Sequence, residues 1–200
     1  MNYSASLILA SGSPRRAQML TQSRVSFKII VPDIHEAPAQ DETGSDYVLR
    51  NAREKALAVA NQVNTPSLIL SADTIVLSKA GAILEKPRDA VHAKTMLQQL
   101  SGDYHYVLTG YALFRANSEI ISRIIKTKVT FRVLSEHLID AYIQTKEGFD
   151  KAGGYGIQGA AMGFVVCIEG SYTNVMGLPL AQVLADLDII DSNPSNASPE

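Results

Sequence analysis

Four short stretches of this 200-residue chain carry side chains suited to anion or metal chemistry. In LASGSPRR (residues 9–16) an apolar run passes through Ser11, Gly12 and Ser13 into Pro14, whose fixed φ suits the first position of a helix. Backbone N–H groups at a helix start have no intrahelical acceptor, so this turn can hold an anion between them and the serine hydroxyls. Arg15 and Arg16 fall in the first helical turn, where positive charge opposes the helix dipole and asks for an anionic partner. The pattern also fits a plain turn with two solvated arginines. It lacks the GxxxxGK[ST] spacing of a P-loop.

The second stretch centres on Asp73, a lone acid in the apolar segment LSADTIV (70–76). Burying a carboxylate there is costly unless it is paired or holds a metal. A metal ligand, a general base and a strand-end salt bridge are all open readings. Lys86 in LEKP (84–87) sits before a proline that stiffens the backbone, which strengthens the functional readings without deciding among them. Third come Glu36, in a loop after the second apolar segment, and Lys55, beside Arg53 and Glu54 on a helical stretch. Taken alone, such charges also fit a solvated helix face. The fourth stretch, DKAGGYGIQG (150–159), is dense in glycine, which allows close approach to a ligand, and Gln158 offers both a donor and an acceptor. His35, His92, His105 and His137 show no HxxxH or HxH spacing and read as non-ligands.

The elements that must position these groups alternate along the chain. Strands are predicted at 6–10, 26–31, 67–77 and 82–84, and helices from Pro14, over 45–63 and over 89–100. Two long strands, 104–114 and 119–133, follow, then a helix at 135–145, the glycine-rich loop at 149–163, a strand at 164–168 and a closing helix at 180–190. The pattern predicts an α/β fold with a mixed, twisted sheet and flanking helices. Residues 1–190 read as one domain, and 191–200 as a disordered tail.

Composition narrows the chemistry. Eighteen basic against twenty acidic side chains give a net charge of −2, a poor footprint for dedicated nucleic-acid binding. One cysteine excludes an intramolecular disulfide and a cysteine-rich zinc site; Cys167, in an apolar run, is expected to be a buried small hydrophobe. No apolar run is long enough for a membrane span, and the first ten residues lack a basic leader, so a cytoplasmic protein is expected.

Together the segments resemble the Maf family of nucleoside triphosphate pyrophosphatases. The match rests on LASGSPRR, ADTIV (72–76), LEKP, LSG with His105, Val107, Thr109 and Gly110 (100–110), DKAGGYGIQG, and GSYTNVMGLPL (170–180). The resemblance implies an elongated, two-lobed architecture of the inosine-triphosphatase type around a central cleft, usually in a homodimer. It also implies hydrolysis between the α and β phosphates with a divalent cation, magnesium or manganese, and a link to nucleotide-pool cleaning or cell-division arrest. Ser11, Ser13, Arg15, Arg16, Lys55 and Lys86 would bind the substrate, Glu36 and Asp73 the metal, and Asp73 would activate the attacking water. The 150–159 and 170–180 segments look like those of the subgroup acting on dTTP and UTP, in which Arg15, Thr74 and Gln158 match the specificity positions. A 7-methyl-GTP pyrophosphatase, a non-catalytic nucleotide-binding regulator and a phosphomonoesterase remain the alternatives.

Overall fold

The computed structural model describes residues 3, 5–63 and 67–192. A seven-stranded mixed sheet runs in the order β2-β1-β3-β5-β6-β7, with β4 paired to β3. In chain order the strands are β1 (Leu7–Ala10), β2 (Phe27–Ile30), β3 (Leu68–Leu77), β4 (Ile83–Leu84), β5 (Tyr104–Arg115), β6 (Ser118–Phe131) and β7 (Val165–Glu169). The helices are α1 (Pro14–Gln22), α2 (Gly44–Ala60), α3 (Ala90–Leu100), α4 (Glu136–Gln144), the one-turn α5 (Tyr172–Val175) and α6 (Leu180–Ser192). β1 pairs in parallel with both β2 and β3, while β4 and β7 join antiparallel. The expected α/β class and mixed sheet are therefore what the chain forms.

Two compact units divide the chain. The first comprises residues 1–73, 109–124 and 177–200, the second 74–108 and 125–176. In the first, α2 lays Ala52, Ala56, Val59 and Ala60 on Ile8, Ala10, Ile69, Ala112 and Phe114 of the sheet. Small side chains on the helix let its backbone come close to the strands. At Gly110 of β5 the approach is so tight that a Cβ would lie 2.5 Å from the Val48 carbonyl oxygen. Asp186 of α6 is buried, accepting from the Tyr111 hydroxyl at 2.6 Å and from Arg123 through two nitrogens at 2.8 Å.

In the second unit an aromatic cluster sits within a mainly aliphatic core. Phe131 packs edge-on against His105, Tyr155 and Phe164, and Tyr142 does so against Phe164. His105 is fully buried, its Nε2 lies 2.7 Å from the Tyr155 hydroxyl, and burial pushes its pKa down to about 4. The unfolded chain takes up this proton below the ordinary value of 6.5, whereas the folded chain refuses it until about 4. Stability contributed by the neutral ring is thus complete above pH 6.5 and declines down to about pH 4, by roughly 3 kcal/mol at most. His105→Phe should flatten this part of the pH–stability curve in thermal melts, at the expense of a pH-independent loss. An unchanged slope would remove His105 as its cause.

Three expectations change in detail. The closing helix continues past Ile190 to Ser192, whose hydroxyl donates back to the Asp188 carbonyl at 2.7 Å. Two residues assigned to the tail are thus helical, and 193–200 lie outside the described residues. Cys167 is exposed rather than buried: β7 is the terminal strand of the sheet, its register against β6 shifts between Val165 and Cys167, and Val166 and Cys167 are both exposed. The 149–163 loop is also more ordered than its glycine content suggests, since it contains two 3-10 turns, Ala152–Gly154 and Ala160–Phe164.

Candidate functional site

Within the first unit the sequence-selected charges cluster around one buried carboxylate. Asp73 is 7% exposed. Its Oδ1 accepts from Lys55 Nζ at 2.6 Å and its Oδ2 from Asn51 Nδ2 at 3.0 Å. Lys55 reaches Asp73 because α2 turns one face to the sheet: Asn51 and Lys55 are four residues apart and both buried on that face. The same Lys55 nitrogen lies 3.0 Å from Glu36 Oε2, whose side chain is about half exposed. Burial alone would raise the Asp73 pKa. The charge and hydrogen bond of Lys55, the Asn51 bond and the Arg16 charge outweigh it and hold the carboxyl below its ordinary value. Asp73 is therefore ionised at neutral pH. A carboxylate has about four acceptor positions, so two bonds still leave room for a water.

The LASGSPRR turn stands in the same unit. Pro14 is the first residue of α1, as its φ requires, and Ser13 is the N-cap. The Ser13 side chain makes no capping bond, unlike Thr43, Asp89, Ser135 and Ser171, which each cap their own helix. Instead the Ser13 backbone N–H donates to Ser11 Oγ at 3.2 Å. Arg16 is buried, donating from Nε to the Gly177 carbonyl at 2.7 Å and from a terminal nitrogen to Ser11 Oγ at 3.1 Å. Burial lowers its pKa, and the nearby Asp73 charge acts in the opposite direction. Gly177 adopts φ of 102°, open to glycine and strained for other residues, which suits the backbone turn that offers this carbonyl to Arg16. Arg16 thus ties the serine turn to the segment before α6 while lending charge to Asp73. Arg15, half-buried beside it, is the more accessible of the two arginines.

The second unit holds the other candidates. Lys86 is exposed and lines a pocket of about 300 Å³ with Ile83, Glu85, Arg88, His92 and Met96. The Gly153 backbone N–H donates to the Glu85 carbonyl at 3.1 Å, and Gly154 lies against Pro87 and Met96. The LEKP and DKAGGYGIQG segments are therefore joined, with Lys86 beside the glycine-rich loop. Gln158 is exposed in that loop, and Thr74 is half-buried. The GSYTNV stretch is fixed by Asn174, whose Nδ2 donates to the Val107 and Ile125 carbonyls and to Thr127 Oγ1 at 3.0–3.2 Å.

Reasoning from sequence passed over Asn51 and Asn174. For Asn51 a signal existed: a polar side chain four residues before a lysine, on the apolar face of an amphipathic helix, must find a buried partner. For Asn174 none did, since its acceptors lie on distant strands.

Among the described residues no group of three or more His, Cys, Asp or Glu side chains is disposed around a metal position. The oxygens of Glu36 and Asp73 already converge on a cation, the Lys55 ammonium. Two carboxylates of this kind fit a hard divalent ion that keeps water and takes phosphate oxygens as its remaining ligands. No helix among the described residues is long and apolar enough to cross a membrane.

A family model described as Maf-like protein matches residues 6–189. A dTTP/UTP pyrophosphatase of Bacillus cytotoxicus is 45% identical over 190 residues, covering 95% of this chain and 98% of that one. One of Vibrio cholerae is 47% identical over 87% of this chain and 92% of its own. One of Escherichia coli K12 is 49% identical over 88% and 89%. Among solved structures, a HAM1 protein from Coxiella burnetii aligns at 15% identity over 92% of this chain and 99% of that chain, with a TM-score of 0.49.

Proposed function

The chain belongs to the Maf-like protein family, and from that premise we propose that it hydrolyses nucleoside triphosphates, dTTP and UTP above others, to the monophosphate and pyrophosphate. The observation that carries this reading is the ionised, buried Asp73 held between Lys55 and Asn51, in a unit that also contains the SGSPRR helix start. The names of the relatives, dTTP/UTP pyrophosphatase, support the substrate class.

A water hydrogen-bonded to Asp73 gives up its proton to the carboxylate as its oxygen attacks phosphorus, and the α–β anhydride bond breaks to release pyrophosphate. Lys55 and Asn51 keep the carboxylate ionised and fixed in orientation, which shortens the search for a reactive geometry. Arg15, Arg16, Lys86 and the Ser11 and Ser13 turn offset negative charge on the phosphates. Arg16 does so as a fixed charge, since two of its nitrogens are already bonded. Glu36 and Asp73 would hold a divalent cation, magnesium or manganese. When bound, that ion would neutralise phosphate charge and stabilise the leaving pyrophosphate. Gln158 presents an acceptor and a donor complementary to the N3–H and carbonyl of uracil or thymine, with Thr74 and Arg15 as the other specificity positions.

Product analysis over a panel of dTTP, UTP, purine triphosphates and 7-methyl-GTP tests the reading. The expected result is pyrophosphate plus monophosphate, fastest with dTTP or UTP. Orthophosphate would point to a phosphatase, tight binding without turnover to a regulator, and faster hydrolysis of 7-methyl-GTP to the sister activity.

A further inference from the structure

We propose that Glu147 and Tyr142 are positioning residues that set the base preference of this protein by holding the Gln158 loop in one conformation. The proposal rests on the reading of Gln158 given above and extends it to two side chains that hold the backbone of its loop.

Gln158 is exposed, but the backbone on both sides of it is tied down from one direction. Two residues before it, the Gly156 N–H donates to the Tyr142 hydroxyl at 3.0 Å. Two residues after it, the Ala160 N–H donates to Glu147 Oε2 at 2.9 Å. The Gly159 N–H closes a turn onto the Gly156 carbonyl at 3.2 Å, and the Met162 N–H donates to the Gly159 carbonyl at 3.0 Å. Gln158 is thus the outward residue of a tight turn whose ends rest on two side chains of α4 and the segment after it.

The glycines in this turn serve the contact with Glu147. A Cβ on Gly159 would fall 2.0 Å from Glu147 Oε1, and one on Gly156 would fall 2.8 Å from the same oxygen. The carboxylate therefore lies flush against bare backbone, a fit that any larger residue at 159 would destroy. The clamp is itself fixed. Tyr142 is buried, packs edge-on against Phe164 with ring centres 5.1 Å apart, and its hydroxyl donates to Glu147 Oε1 at 3.4 Å. The Glu147 N–H is held by Thr145 Oγ1 at 3.2 Å, and its carbonyl accepts from Lys151 Nζ. One residue before Gly156, the Tyr155 hydroxyl pairs with His105 in the aromatic cluster. A carboxamide reads a base only if both of its polar ends are presented at fixed positions, and a glycine-rich loop without supports would spread them over many conformers.

The test compares UTP with a purine triphosphate in the full-length protein carrying Glu147→Ala, Glu147→Gln, Tyr142→Phe and Gln158→Ala. Glu147→Ala should raise KM for UTP about tenfold with kcat little changed, the size of effect that one charge-assisted bond to the loop sustains. The ratio of kcat/KM for UTP over the purine triphosphate should fall in proportion. Glu147→Gln should restore most of it, because the amide oxygen can still accept from the Ala160 N–H. Tyr142→Phe should shift the ratio in the same direction as Glu147→Ala. In the Gln158→Ala background Glu147→Ala should add little, since both changes act through the same contact.

An active Glu147→Ala protein with the wild-type ratio overturns the proposal. So does a full additional loss in the double variant, or a Gln158→Ala protein that keeps its preference. If wild type releases no pyrophosphate from any triphosphate, the activity reading falls and the proposal with it, a result distinct from those three.

Discussion

Asp73→Asn is expected to fold like wild type and to lose turnover by about 10³-fold, the middle of the range that a positioned proton acceptor contributes. The substitution keeps the shape of the side chain, removes its charge and exchanges one acceptor oxygen for an amide donor. The pocket can absorb it: Lys55 retains Glu36 at 3.0 Å, and Asn51 has an Oδ1 with no hydrogen-bond partner in its present orientation. By turning its own amide, Asn51 can accept from the amide nitrogen introduced at position 73, where it now donates to Asp73. Pyrophosphate release under saturating dTTP or UTP gives the turnover, and circular dichroism with a thermal melt establishes the fold. Near-wild-type turnover in a folded variant would take Asp73 out of the mechanism. Lost turnover together with a collapsed melt would assign the residue to stability instead.

How much of this was visible in the sequence depends on whether the cause is local. The SGSPRR turn was legible because Pro14 and the small residues before it dictate a helix start whatever lies around them. Asp73 stood out because an acid in an apolar strand must find a partner. The identity of that partner was legible only in part: Lys55 was singled out, whereas Asn51 needed the observation that spacing of four puts both on one face of α2. Arg16 shows the opposite limit. Its charge was legible, but its bond to the Gly177 carbonyl links positions 161 residues apart in the chain, which no local pattern encodes. Cys167 misled for a related reason. An apolar run announces a strand, and only the strand order shows that this one lies at the sheet edge, where Cys167 is left exposed. Glu147 carried no sequence signal, because its meaning comes from the bare backbone of Gly156 and Gly159 folding onto it.

Lys55→Met should cause the largest loss of stability among the site variants. The Lys55 side chain is 8% exposed and that of Asp73 10%, with 2.6 Å between nitrogen and oxygen, so this is a pair largely removed from water. Removing one member of such a pair leaves the other charge uncompensated, which costs roughly 3 kcal/mol or more. Methionine has nearly the length of lysine and fills the space, so the loss would come from the stranded carboxylate rather than from a cavity. Asn51 and Arg16 remain near Asp73 and offset only part of it. The sharper measurement is the double variant Lys55→Met with Asp73→Asn. With the buried charge gone from both sides, most of the stability lost in Lys55→Met should return, while turnover stays low. Urea denaturation of the four proteins in the cycle gives the coupling directly. Additive losses would mean that Asp73 finds its compensation elsewhere, and then Lys55 could not be what holds it ionised. A recovered fold without recovered turnover is the expected outcome, and it would separate what this pair contributes to the fold from what it contributes to the chemistry.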